Sequence, residues 1–129
     1  MYISTINKIF KDIMYFDESE ELDPNKSLFS DYEMTSIDYI DFAFELKKQF
    51  KVDVNPESLW PVNKWATTEA FYSFDTNEWT SKGLTKLNNL LGLKGSESVD
   101  KKIQFKELYS YFTLNYINQQ ISAAKLQVA

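Results

Sequence analysis

A chain of 129 residues with 43% apolar and 16% aromatic content can build one domain with a substantial core. It has no cysteine and no histidine, which excludes thiol nucleophiles, disulfide frameworks, Cys/His zinc sites and every catalytic arrangement that needs an imidazole. The net charge of −5 is uneven: residues 1–58 hold 6 lysines against 13 acidic residues, and residues 59–129 hold 8 against 6, so the first half disfavours nucleic acid and suits basic protein surfaces.

No apolar run is long enough to span a membrane, and residues 1–16 mix Asn7, Lys8, Lys11 and Asp12 among apolar positions, unlike a signal peptide. A soluble, cytoplasmic protein with a single domain over residues 1–129 is expected. Ile3, Ile6, Ile9, Phe10, Ile13 and Met14 recur at three- and four-residue steps, which predicts an amphipathic helix over about 4–16. The charge run 17–21 reads as solvated loop. Residues 22–31 mix turn formers with apolar anchors, so Leu22, Leu28 and Phe29 should pin a long ordered loop to the core.

At Thr35 or Ser36 a hydroxyl is followed by Asp38 in the first turn, a helix start: the hydroxyl satisfies free backbone N–H groups and the carboxylate suits the positive end of the dipole. Tyr39, Phe42, Ala43, Leu46 and Phe50 fall on one face of the helix that follows and are core candidates. Ile37, Ile40 and Phe44 form a second apolar stripe interleaved with Asp38, Asp41 and Glu45. Either the helix is buried on two sides, or this surface is kept for docking.

Val52 to Val54 is short and extended, and Asn55-Pro56 opens a short helical turn that Trp60-Pro61 interrupts. Over 61–74, Trp65, Ala66, Ala70, Phe71 and Phe74 allow a brief helix, and 75–77 is a turn. Leu84, Leu87, Leu90 and Leu91 predict a helix over about 81–91, stopped by Gly92 as a left-handed cap; residues 93–102 read as a flexible connector. The spacing of Phe105, Leu108, Tyr109, Phe112 and Tyr116 predicts one final helix from about 105 to 120.

The acidic residues form no catalytic pair, no Ca-loop spacing or Gly-rich phosphate loop is present, and no metal site is expected. Ser36 has no in-chain base, so its value would come from modification by another enzyme.

The run 23–54 resembles acyl carrier proteins. It has a loop with Pro24, Ser27, Leu28 and Phe29, then D-Y-E-M-T-S-I-D at 31–38 in place of that family's D-L-G-x-D-S-L-D, then a long helix ending at Phe50. The resemblance implies an all-α, four-helix acyl-carrier-like bundle, here with an extra helical insertion, about 60–102, before the last helix. It implies a non-catalytic, monomeric carrier whose Ser36 takes a 4′-phosphopantetheine arm, the imported thiol holding an acyl group as a thioester. Ile37, Asp38, Ile40, Asp41, Phe44 and Glu45 would then form the recognition surface for a phosphopantetheinyl transferase and for acyl-loading and acyl-transferring enzymes with basic docking surfaces. Residues 103–108 and Phe112 resemble the start of the carrier's last helix. Four positions depart from the pattern: Thr35 replaces the Asp before the serine, Glu33 replaces the Gly, and Lys47 and Lys48 stand where many members keep acidic residues. A specialised fatty acid, lipid or polyketide pathway is the expected setting. The alternatives are a carrier-fold interaction module with a bare Ser36 and a stand-alone peptidyl carrier.

Overall fold

The structure, a computed structural model, describes residues 2–128. In chain order the elements are α1 (Ile3–Met14), α2 (Ser36–Phe50), α3 (Pro56–Leu59), α4 (Val62–Trp65), β1 (Tyr72–Ser73), β2 (Glu78–Trp79), α5 (Ser81–Leu91), α6 (Phe105–Tyr109) and α7 (Leu114–Val128). A 3-10 turn at Gly95–Glu97 lies between α5 and α6. The architecture is therefore mostly helical. Two compact units divide the chain: one ends at Leu59 and resumes at Tyr109, and the other is Trp60–Leu108.

The first unit holds α1, α2, α3 and α7, and α1 packs on both α2 and α7. Its core takes Ile6, Ile9 and Phe10 from α1, and Phe42, Ala43, Leu46 and Phe50 from α2. From α7 come Leu114, Ile117 and Ile121. Each of these side chains except the small Ala43 contributes roughly 1.5–3 kcal/mol by leaving water. The helix stripe read as core on α2 is buried, with Tyr39 half-buried at its head. α1 stops where Tyr15 turns left-handed at φ 58°, letting Phe16 N–H reach the Lys11 carbonyl at 2.9 Å.

Residues 15–35 cross this unit without regular structure, laced to the segment before α7. Leu28 N–H donates to the Phe112 carbonyl at 2.9 Å, Ser27 and Thr113 form an antiparallel bridge, and Asn115 N–H donates to the Pro24 carbonyl at 3.1 Å. These bonds correct the expectation of one final helix over 105–120. The chain is helical at 105–109, leaves the helix at 110–113 to pair with the loop, and restarts as α7, where the Thr113 hydroxyl accepts Tyr116 N–H. The stretch likened to the start of the carrier's last helix thus lies mostly in the other unit.

In the second unit the brief helix expected within 61–74 is only α4, Val62–Trp65; Ala66, Ala70 and Phe71 lie in turns and a two-stranded hairpin follows, Tyr72 paired with Trp79 and Ser73 with Glu78. Asn77, at φ 56°, supplies the left-handed residue of its turn. Thr80 caps α5 by accepting Gly83 N–H, and its own hydroxyl donates to the Ala70 carbonyl at 2.7 Å. Gly92, at φ 69°, ends the helix as the sequence predicts. The connector 93–102 is held at several points: Val99 is buried and donates to Asn88 Oδ1, and the Lys101 carbonyl accepts Trp79 N–H at 2.9 Å.

Candidate functional site

α2 begins at Ser36 because Thr35 stops the extended chain and caps it. Thr35 Oγ1 accepts Asp38 N–H and Asp38 Oδ2 accepts Thr35 N–H, each at 3.1 Å, a reciprocal capping box. Ser36 is then the first helical residue. It is exposed, and among the described residues no group hydrogen-bonds its hydroxyl. As at any helix start, the first amides have no intrahelical acceptor and present partial positive charge.

The loop that delivers Ser36 is fixed from behind. Asp31 Oδ2 accepts Ser27 N–H at 2.8 Å, Asp31 N–H returns to the Ser27 carbonyl at 2.9 Å, and Met34 N–H donates to the Leu28 carbonyl at 3.0 Å. Buried Ser27 donates its hydroxyl to the Tyr109 carbonyl at 2.7 Å. Between these bonds Glu33 sits at φ 57°, the left-handed conformation that a glycine adopts without strain. Beneath the head of α2, Phe29 stacks on Phe112 with ring centres 4.7 Å apart. The Tyr39 hydroxyl donates to the Pro56 carbonyl, and the Tyr116 hydroxyl donates to the Leu59 carbonyl at 2.6 Å, so both ends of α3 are tied to the same aromatic cluster. Burial first, and the neighbouring Tyr39 second, push the Tyr116 phenol well above its ordinary pKa, which keeps it a donor.

Ile37, Ile40 and Phe44 lie on the outer side of α2, at 71%, 43% and 59% exposure. The helix is therefore not buried on two sides, and the second stripe faces outward. Asp41 is exposed beside them; Asp38 is half-buried in the capping box, and Glu45 is half-buried at a shallow groove against Lys8 and Asp12 of α1. One face thus brings together Ser36, the apolar stripe and Asp41, with Asp38 and Glu45 at its border. Among the described residues no cluster of acidic side chains is placed to hold a metal ion. Sequence reading missed the Ser27 relay and the anchoring by Phe112 and Thr113, whose only local trace is the four-residue spacing of Ser27 and Asp31.

A family model described as the phosphopantetheine attachment site matches residues 4–67. That stretch, just under half of the chain, is a phosphopantetheine-attachment domain of the acyl-carrier kind. The match takes in α1, the whole Ser36 loop, α2 and α3. A carrier domain of this kind is where 4′-phosphopantetheine is covalently attached, and such domains generally carry rather than catalyse. They work with a phosphopantetheinyl transferase and with partner enzymes. The first unit supplies four helices, as the all-α bundle implied by the resemblance requires, and the second unit, 60–108, enters the chain between α3 and α7. No characterised protein and no solved structure matches the chain. Among the described residues no helix is long and apolar enough to cross a membrane.

Proposed function

We propose that Ser36 is the attachment point of the 4′-phosphopantetheine arm, and that the protein is a cytoplasmic, non-catalytic acyl carrier serving a specialised fatty acid, lipid or polyketide pathway. The observation that carries this reading is the free, exposed Ser36 hydroxyl at the first position of α2, inside the matched residues. The surroundings fit the group. A phosphodiester on Ser36 would lie at the positive end of a 15-residue helix, which favours an anion there. When attached, the arm supplies a terminal thiol that holds the acyl group as a thioester.

The chain's own residues would do the rest. Thr35 and Asp38 hold the serine at the helix start, Asp31 and Ser27 hold the loop, and the absence of a base beside Ser36 leaves its activation to the transferase. The Ser36 oxygen would attack the pyrophosphate of coenzyme A, its proton passing to a base of that enzyme while adenosine bisphosphate leaves. Ile37, Ile40 and Phe44 would enter apolar recesses of each partner, with Asp38, Asp41 and Glu45 meeting basic groups around them.

Intact-mass measurement after incubation with coenzyme A and a broad-specificity phosphopantetheinyl transferase tests the assignment. One added phosphopantetheine, absent from Ser36→Ala, is expected. An unchanged mass would favour an interaction module with a bare serine.

A further inference from the structure

Along the docking face the charge changes sign. Residues 31–45 hold five carboxylates and no lysine, whereas residues 46–52 hold three lysines and no carboxylate. Lys47 and Lys48 are exposed on the last turns of α2, and among the described residues neither has an ion-pair partner. Lys47 follows Ser36 by three turns, so it returns to nearly the same angle about 16 Å further along the axis. Lys48 lies one turn beyond Phe44. Both lysines therefore border the exposed Ile40 and Phe44 at the end of the stripe away from Ser36. Favourable charge at a helix C-terminus explains their sign wherever they point, but not their place in line with the serine.

We infer that the surface which docks on α2 is bipolar, cationic where it covers Asp38 and Asp41, apolar over Ile40 and Phe44, and anionic over Lys47 and Lys48. The inference rests on the reading of Ser36 above and names the kind of partner that site accepts. An enzyme whose docking face is basic throughout gains from the carboxylates but meets two unpaired ammonium groups roughly 10 Å beyond Asp41, about one Debye length at 0.1 M salt. The lysines thus act by exclusion: they admit partners with acidic groups at that end and turn away those whose docking face is basic throughout.

The test compares the full chain with Lys47→Glu/Lys48→Glu and Lys47→Gln/Lys48→Gln. The probe is a phosphopantetheinyl transferase with a uniformly basic surface around its coenzyme A cleft, and the readout is the initial rate of loading. The glutamate pair should raise kcat/KM about tenfold at low salt, mainly through KM, and the glutamine pair about threefold, with both gains fading in 0.5 M salt. Circular dichroism checks that each variant is folded, and the neutral pair keeps the test alive if the acidic pair is not. Equal or slower loading of the folded variants overturns the bipolar surface and leaves Ser36 as the attachment point. Failure to load the parent and both variants overturns the Ser36 reading and this inference with it.

Discussion

Glu33 shows how a single departure from the family pattern is accommodated. Where the carrier motif has glycine, this chain places a residue with a Cβ in the left-handed region, at φ 57°. That conformation costs an L-residue roughly 1–2 kcal/mol, and the loop imposes it because Asp31 and Met34 on either side are bonded back to Ser27 and Leu28. Glu33→Gly should raise stability by about 0.5–1 kcal/mol in urea unfolding, the relief being partly offset by glycine's freedom in the unfolded chain. Glu33→Val, β-branched, should lower it by more than 1 kcal/mol. Values of the same sign for both would mean that the loop does not impose this conformation. Thr35 is a milder departure: it caps α2 through its hydroxyl, so the helix start is kept while one negative charge beside Ser36 is lost.

Among the elements, α5 depends on one close approach. A Cβ on Gly83 would lie 2.0 Å from the Phe71 carbonyl oxygen and 3.0 Å from the Trp79 ring, and the backbone atom cannot move without breaking the bond it accepts from Thr80 N–H. Gly83→Ala should therefore destabilise the second unit by roughly 2 kcal/mol or more. All three tryptophans lie in that unit, so an earlier thermal transition in tryptophan fluorescence is the expected readout, and an unchanged midpoint would contradict the packing described. α5 and α2 were both legible in sequence because their ends are set by neighbours along the chain: Thr80 and Gly92 for one, Thr35 and Asp38 for the other. The hairpin was not. Two residues per strand carry no period, and Trp79 is held by the distant Lys101 carbonyl. The break between α6 and α7 was hidden for a related reason. Phe105, Leu108, Phe112 and Tyr116 keep helical steps straight across it, while the bonds that open the helix come from Ser27 and Leu28, more than eighty residues earlier. At the site, the second stripe was legible as a pattern but the side it faces was not, because apolar residues at helical steps look alike buried or exposed, and the backbone lacing that presents Ser36 left no local trace beyond the spacing of Ser27 and Asp31.

For the molecule as a whole, the strongest pH dependence foreseen is alkaline. Tyr116 is buried and its phenol is raised above the ordinary 10.0, so above pH 10 the folded chain holds a proton that the unfolded chain has lost. Stability gained this way is complete below pH 10 and drains away as pH rises from there towards the raised pKa of the folded state. Urea unfolding from pH 7 to 11 should show that decline in the parent protein and a shallower one in Tyr116→Phe. The variant also loses the bond to the Leu59 carbonyl, at about 1 kcal/mol near neutrality; parallel curves would show that Tyr116 is not the group responsible. The pairing of residues 27 and 28 with 112 and 113 has a consequence during synthesis. The segment 60–108 leaves the ribosome as an uninterrupted piece, but the bed beneath Ser36 waits for a strip of chain made only after that piece. Until Phe112 and Thr113 emerge, Ser27 and Leu28 have only their local bonds to Asp31 and Met34, so the loop that leads into α2 would stay slack while the roughly eighty residues after it are being made.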